Sequence, residues 1–369
     1  MTRLYRLLTA FSHALAGAKH SGRAGASCLL GLLLAGAYPA GARPPRRYPV
    51  AGQEQPVALL TVGKATYLVT EHSVFRQEGR TFVRHYQSAA PISRAVGADS
   101  LLWLGTEQGL VRLGTRQWRA RPLALPEAGA APTPITALFH DAAGALWVGA
   151  TGQGVYQIVG GELQNRLRIP AVNAGLATAD SSVWIATNIG LYRWQHQAWL
   201  RYNEEGVTNH EIPDNIVENL LLDATGSLWV LMAGAISVFE PAAQAGSGES
   251  HVPTITYLGR PGNEVYSVAV VPAQGHVFAT AMGLLLLPPQ PHGELAHVEA
   301  SADQVQTPQL LVPLTQLGLP TPGPRLVQVD AQQRVWLVSP GEVQVWRAQD
   351  FRHATLPAPQ LAAKVGGPR

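Results

Sequence analysis

The chain has 369 residues, of which 46% are hydrophobic and 14% are charged, and it contains 37 glycines and 28 prolines. This composition excludes a largely disordered chain and is typical of many short buried strands separated by turns. The net charge of +3 arises from 27 basic and 24 acidic residues, and it is small for a chain of this length.

The first 42 residues differ in composition from the remainder. They contain four basic residues and no acidic residue, then an apolar run from Cys28 to Tyr38 and the small residues Ala40-Gly41-Ala42. This order predicts a signal peptide, residues 1–42, that is cleaved after Ala42 and directs the protein to the periplasm or the cell exterior. An uncleaved anchor is the alternative, although the run is shorter than the roughly 20 residues that a span needs. No membrane span is predicted in the mature chain.

The basic character of the chain belongs to this leader. Without its four basic residues, 23 basic and 24 acidic residues remain, a net charge of −1. No basic stretch interleaved with aromatic residues is apparent elsewhere, so we predict no nucleic-acid partner. The lone cysteine, Cys28, lies in the leader, so the mature chain is predicted to form no disulfide.

A sevenfold repeat follows the leader. The recurring apolar segments are Thr66–Thr70, Leu102–Thr106, Leu146–Ala150, Val183–Thr187, Leu228–Met232, Val277–Thr280 and Val335–Val338. Their aromatic residues are Tyr67, Trp103, Trp147, Trp184, Trp229, Phe278 and Trp336, separated by 36 to 58 residues. Seven units of about 40 residues predict an all-β fold, a β-propeller of seven four-stranded blades.

The third unit shows the order of parts within a blade. Residues 135–140 are predicted to form the first strand, residues 141–144 a tight turn, and residues 145–150 the second strand. Residues 155–159 and 162–169 complete a four-stranded meander. The second strand is apolar throughout, as expected for a blade that its neighbours cover on both faces. The repeated tryptophans are therefore interpreted as packing residues.

These units resemble the two-component regulator propeller repeat, in which a Leu-Trp-[Ile/Val]-Gly-Thr strand is followed by two variable residues, Gly-Leu and another short strand. Residues 102–113 (LWLGTEQGLVRL) match this pattern, and residues 183–194 (VWIATNIGLYRW) match it with Ala186 in place of glycine. Residues 146–158 match with one additional residue, and residues 211–217 resemble the connection between blades in that family. The resemblance covers residues 56–356.

The resemblance implies a role in recognition. Propellers of this family commonly form the periplasmic sensing part of hybrid histidine kinases, followed by a three-Tyr module, a membrane span and a kinase. None of these parts follows in this sequence. We therefore expect an exported ligand-binding or sensor propeller that works without its own kinase, with a glycan or small-molecule ligand and an envelope protein or a sensor kinase as partner.

The predicted domain organisation follows from the repeat. The signal peptide (1–42) is followed by a linker or closing strand (43–56), the propeller (57–357) and a C-terminal tail (358–369). A Pro-rich insertion (288–324) and a polar loop (242–253) are expected to extend from one face.

No recognised catalytic or cofactor motif occurs in the sequence. A nucleophile elbow, a phosphate-binding Gly-Lys-[Ser/Thr] loop and a zinc-type histidine pair are all missing, so no catalytic residue, cofactor or metal is predicted. His292 and His297 are close in sequence, but their surroundings explain them as polar loop residues. A polysaccharide lyase or hydrolase with dispersed channel residues remains an alternative, because fold does not determine function. An envelope scaffold that binds proteins is a second alternative.

Propeller architecture places a ligand over the central channel, against the turns between second and third strands and the connections between blades. The polar residues predicted at these places are Glu71, His72, Glu107, Gln108, Gln153, Asn188, Asn209, His210 and Asp214. Turn capping is the alternative role for each of them.

Overall fold

The computed structural model describes residues 42–126, 132–204, 212–241, 254–255, 258–260, 262–289 and 310–355. Within these residues, 28 strands form seven four-stranded antiparallel sheets. The predicted seven-bladed propeller is thereby confirmed. Residues 1–41 of the predicted signal peptide, the loop 242–253 and the tail 358–369 lie outside the described residues.

Each of the first six blades is a meander of four consecutive strands. The first blade is β2 (Pro56–Val62), β3 (Ala65–Thr70), β4 (Ser73–Glu78) and β5 (Thr81–Gln87), and the second is β6 (Ile92–Ala98), β7 (Leu101–Thr106), β8 (Gly109–Gly114) and β9 (Arg119–Leu123). The third is β10 (Ile135–His140), β11 (Leu146–Ala150), β12 (Gly154–Val159) and β13 (Glu162–Leu167), and the fourth is β14 (Ala174–Ala177), β15 (Val183–Thr187), β16 (Gly190–Gln195) and β17 (Ala198–Tyr202). The fifth is β18 (Val217–Leu222), β19 (Leu228–Met232), β20 (Ile236–Phe239) and β21 (Thr254–Ile255), and the sixth is β22 (Val265–Val271), β23 (Gly275–Thr280), β24 (Gly283–Leu287) and β25 (Leu310–Val312).

The first strand of each blade lines the centre of the ring. In the seventh blade this strand is β26 (Leu326–Val329), followed by β27 (Arg334–Ser339) and β28 (Glu342–Arg347). The inner strands β2, β6, β10, β14, β18, β22 and β26 contact one another in that order, and β26 also contacts β2. We call the end of the ring at which the inner strands begin the upper end, and the end at which they finish the lower end.

The fourth strand of the seventh blade comes from the N-terminal side of the chain. Strand β1 (Arg46–Pro49) pairs antiparallel with β28, so the segment 43–56 contributes a strand to the last blade. Tyr48 of β1 stacks on Trp336 at 6.3 Å between ring centroids and meets Phe82 of the first blade edge-on at 6.1 Å. This one side chain therefore joins the last blade to the first.

The segment predicted as a Pro-rich insertion contains part of the sixth blade. Residues 310–312 form β25, which pairs with β24, and Leu314–Leu317 form a short 3-10 helix. Residues 290–309 lie outside the described residues. Strand β25 could not be predicted from the sequence, because its three apolar residues lie among prolines and carry no recurring motif.

A helix that the sequence did not predict follows the last strand. Helix α1 (Ala348–Thr355) buries Phe351 against Trp346, with ring centroids 6.0 Å apart.

Aspartates at the lower end fix the turn between the first and second strands. Asp141 accepts hydrogen bonds from the backbone N–H groups of Ala143 and Ala145 and, through its other oxygen, from Trp147 Nε1 at 2.8 Å. The same arrangement joins Asp223 to Trp229 and Asp330 to Trp336. Each carboxylate therefore caps its turn and also satisfies the buried indole of the next strand.

The hydrophobic core consists of layers between blades. Seven clusters of buried residues occur in the described chain, one at each contact between neighbouring blades, and the tryptophans of the second strands lie within or against them. Trp147, Trp184 and Trp229 are at most 2% exposed. The repeated residues therefore pack the blades against one another, and candidate binding residues are to be sought at the two ends of the ring.

Candidate functional site

A β-bulge interrupts the upper end of the inner strands. In five blades one residue is skipped by the pairing with the second strand, so that two residues oppose one. The skipped residues are Val57, Ser93, Thr136, Glu218 and Tyr266. A bulge leaves its extra residue outside the ladder and redirects its side chain.

The fourth and seventh blades have related irregularities. The N–H of Asn173 donates to the carbonyl of Ala186, the residue that also pairs with Ala174. The N–H of Arg325 donates to Val338, which also pairs with Leu326. Near the start of every inner strand, one residue therefore lies outside the regular ladder, and these residues differ from blade to blade.

A cavity of about 280 Å³ opens at the upper end of the ring, and we call it the channel-mouth cavity. Its polar lining comes from five blades: Gln55, Glu71, Ser93, Arg94, Asn219, Tyr266 and Arg325. A second cavity of about 420 Å³ lies between blades five and six, and it shares Asn219 and Tyr266 with the first. The two cavities therefore adjoin at these residues.

Arg94 crosses the upper end of the channel. Its guanidinium donates to the carbonyl of Ser93 at 2.8 Å and to that of Asn173, two blades away, at 3.4 Å. Burial lowers the pKa of Arg94 from its ordinary value. Within the described residues, no carboxylate forms an ion pair with Arg94. Its hydrogen-bond partners in the described residues are therefore backbone carbonyls.

Arg325 enters the same cavity from the seventh blade. Its guanidinium carbon lies 4.4 Å from the centroid of the Tyr266 ring, a cation–π contact. The Tyr266 hydroxyl donates to Glu264 at 3.1 Å, and burial together with this hydrogen bond raises the pKa of Tyr266. In the part of the chain that the structure describes, Arg325 also has no carboxylate partner.

One of the predicted ligand residues, Glu71, lines the channel-mouth cavity. Its backbone joins the turn to neighbouring loops, because its N–H donates to Gln55 and its carbonyl accepts from Ile92. The N–H of the adjacent His72 donates to Glu54, which also accepts from Thr70 and Ser73. Glu54, which the sequence did not single out, thus caps the turn that presents Glu71.

The other predicted residues occupy turns and connections without lining either upper cavity. The N–H of Glu107 donates to the carbonyl of Pro91 in the connection before β6, and that of Gln108 donates to the hydroxyl of Thr106. Gln153 donates to Thr133 and accepts from Tyr156. Asn188 accepts from Asn173. Asp214 accepts from the N–H of Ile216. Asn209 and His210 lie outside the described residues, and a ligand role for this set stays a prediction.

Sequence reasoning missed Arg94, Asn219, Tyr266 and Arg325. A usable signal was present, because Arg94 and Asn219 occupy the first regular position after the bulge. The other blades hold a small or apolar residue there: Ala58, Ala137, Ala174, Ser267 and Leu326. An alignment of the seven units on this position would have shown that Arg94 and Asn219 replace small or apolar residues.

Among the described residues, no group of three His, Cys, Asp or Glu side chains is arranged to hold a metal ion, and His292 and His297 lie outside them. No helix in the described ranges is long and apolar enough to cross a membrane.

Comparisons with known proteins show the fold. No family model and no curated protein matches the chain. One similar solved structure is the extracellular domain of a proposed hybrid two-component system, BT4673, from B. thetaiotaomicron, at 17% identity and a TM-score of 0.58, covering 82% of this chain and 40% of that chain. A second is PorZ, a surface component of the type-IX secretion system of Porphyromonas gingivalis, at 12% identity and a TM-score of 0.56, covering 81% of this chain and 47% of that one.

A third similar structure is a streptogramin B lyase, at 10% identity and a TM-score of 0.56, covering 82% of this chain and 96% of that chain. The chain therefore spans about 40% of the first sensor structure's length and nearly all of the lyase's. Structural neighbours thus include extracellular sensor domains, a secretion-system component and an enzyme. At these identities the propeller fold is what the comparisons establish.

Proposed function

We propose that this protein is an exported recognition propeller that binds a carboxylate-bearing small molecule or glycan end at the channel mouth. The observation that carries the proposal is the pair of arginines, Arg94 and Arg325, that line the same cavity without an ion pair in the described residues. Partly buried cations without a counter-ion are costly, and an anionic ligand would offset that cost.

The lining favours an acidic sugar. A guanidinium presents a planar fork of N–H donors that matches a carboxylate in two-point geometry. The amide of Asn219 and the carboxylate of Glu71 supply a donor and acceptors for hydroxyl groups. The cavity between blades five and six gives room for a further sugar unit beyond Tyr266.

The proposal includes export and communication with another protein. The composition of residues 1–42 supports export, and so does similarity in fold to an extracellular sensor domain. If the signal is cleaved as predicted, N-terminal sequencing of the protein from the envelope fraction will begin at Arg43. An envelope protein or a sensor kinase is the proposed partner, and crosslinking with and without ligand would identify it.

Calorimetric titration tests the ligand site. Glucuronate and galacturonate, as monomers and short oligomers, are compared with glucose and galactose oligomers of equal length. We expect binding of an acidic series and at least tenfold weaker binding by Arg94→Gln and by Arg325→Gln, because each variant loses charge-assisted hydrogen bonds.

The matched control is Arg347→Gln, an exposed arginine at the end of β28. Equal binding of neutral and acidic oligomers, or no binding of either series, would contradict the proposal. Cleavage of the oligomers would favour the lyase or hydrolase alternative instead.

A further inference from the structure

A second charged region lies at the lower end of blade two, away from the channel mouth. An open groove of about 540 Å³ runs along the hairpin of β8 and β9, and we call it the arginine groove. Four arginines, Arg112, Arg116, Arg119 and Arg121, and one acid, Asp99, contribute its charges. The sequence did not single out this cluster, whose arginines come from β8, β9 and the turn between them.

The pairing of β8 with β9 brings the arginines together. Arg112 lies directly opposite Arg121, and Gly114 lies opposite Arg119. Because alternate residues share one face of a sheet, the side chains of Arg112, Arg119 and Arg121 project from the same face. Like charges directly opposite each other in a β-pair are destabilising. Within the described residues, none of the four arginines has an ion-pair partner.

Blade four shows how the same position is neutralised elsewhere. Arg193 lies opposite Trp184 as Arg112 lies opposite Trp103. Arg193 is 4% exposed and donates to Asp180 at 2.9 Å and to Ser182 at 3.0 Å. The arginine of blade four is thereby enclosed within its own blade.

Blade two contains the same two charges without the contacts that join them. Asp99 precedes Trp103 by four residues, as Asp180 precedes Trp184. The position of Ser182 is taken by Leu101, which offers no hydroxyl acceptor. When the two hairpins are aligned on their paired strands, the position of Thr178, which bonds Asp180, is taken by Ala98. Arg121 then occupies the position of Leu200. Blade four therefore joins its arginine and aspartate in an ion pair, whereas the corresponding Arg112 and Asp99 of blade two form none.

The surroundings of the groove restrict the class of its ligand. Single-stranded nucleic acids bind through aromatic faces on which bases stack. Here Trp103 lies 5.9 Å below the Arg112 guanidinium, and Trp118 is stacked on His85 at 4.4 Å. None of the large hydrophobic side chains that are exposed in the described residues lines the groove, so a lipid bilayer finds no apolar anchor.

We propose that the arginine groove binds a polysaccharide chain that carries sulfate or phosphate groups. Cross-strand side chains lie about 5 Å apart and alternate side chains along a strand about 7 Å apart, so neighbouring anionic groups of one chain can each engage a guanidinium. The groove, at about 540 Å³, has room for a segment of a polymer, whereas the smaller channel-mouth cavity of about 280 Å³ suits a chain end or a small molecule.

The test compares paired charge removals in two blades. Arg112→Ser/Arg121→Ser removes two positive charges from the groove, and Arg80→Ser/Arg84→Ser removes two exposed positive charges from the outer hairpin of blade one. The probes are a heparin-derived hexasaccharide, its desulfated counterpart, a phosphomannan fragment and a single-stranded DNA of matched charge. Binding is measured by calorimetry at two salt concentrations.

We expect the wild type and the blade-one variant to bind the sulfated or the phosphorylated glycan, and the groove variant to bind it at least tenfold more weakly. The two glycans distinguish sulfate from phosphate recognition. Equal losses in both variants, equal binding of the desulfated chain or of DNA, or no binding by the wild type would each overturn the proposal. Arg116→Ser/Arg119→Ser provides a second groove variant if the first fails to fold.

Discussion

The two ends of the ring differ in how their charged side chains are bonded. At the lower end, Asp141, Asp223 and Asp330 each accept hydrogen bonds from their own turn and from a buried tryptophan. At the upper end, Arg94 and Arg325 have no carboxylate partner within the described residues. The lower aspartates recur from blade to blade, whereas each upper arginine occurs in one blade.

This difference separates groups that stabilise the blades from groups that are available to a ligand. A buried polar group with all its partners contributes to folding, and its loss leaves those partners unsatisfied. A charge without a counter-ion contributes little to folding or opposes it. Substitutions at the lower end should therefore alter stability first, and substitutions at the upper end should alter binding first.

The largest effect is expected for Trp229→Ala. Trp229 is fully buried between blades five and six and donates to Asp223 at 2.9 Å. Its removal should lower the free energy of unfolding by about 3–5 kcal/mol through lost burial and a cavity. Denaturant unfolding followed by fluorescence measures this change. Trp103→Ala, at a partly exposed member of the repeat, is the control and should cost less.

A smaller effect with a distinct pH dependence is expected for Asp223→Asn. Burial alone would raise the pKa of Asp223, but hydrogen bonds from His276, Thr225 and Trp229 hold it well below its ordinary value of 3.8. A carboxylate with a depressed pKa stabilises the folded state above its unfolded pKa, and this stabilisation is lost as the pH falls toward the folded value.

The wild type should therefore lose stability progressively below about pH 4. At pH 7 the Asp223→Asn variant should be less stable by about 2 kcal/mol, and the difference should narrow on acidification. Melting curves between pH 2.5 and pH 7 measure both effects. A gap that widens toward low pH would contradict the assignment.

The difference between recurring residues and residues found in a single blade also explains which features could be predicted from the sequence. The turn beginning at Asp141 and the strand containing Trp147 recur at Asp223 and Trp229, so internal comparison was enough to predict the blades. Strand β1 belongs to the last blade although it lies at the other end of the chain, and β25 has no motif. Arg94 and Arg325 line one cavity because ring closure brings blades two and seven to the same channel mouth, and no local sequence pattern records this.

The upper end should tolerate loss of charge. Arg94→Met keeps an unbranched side chain and removes a partly buried cation, so the free energy of unfolding should change by no more than about 1 kcal/mol. The same variant should lose binding of the acidic oligomers. Thermal unfolding and calorimetry on one preparation separate the two properties. A loss as large as that of Trp229→Ala would make Arg94 a structural residue.

The arginine groove is the exception at the lower end, because none of its arginines forms an ion pair in the described residues. Arg121→Glu tests this difference. The substitution replaces a directly opposed pair of like charges, Arg112 and Arg121, by a directly opposed pair of opposite charges. We expect a gain in stability of about 0.5 kcal/mol, because opposite charges across a β-pair stabilise it and like charges destabilise it.

The gain should shrink in 1 M salt, where exposed charges are screened. Arg121→Leu, which copies Leu200 of blade four, removes the repulsion without adding an ion pair and should give a smaller gain that salt affects less. Denaturation midpoints of the two variants at low and high salt measure these differences. Destabilisation by both variants would mean that Arg121 already has a favourable contact in the folded protein. In that case the groove would not be an open anion site.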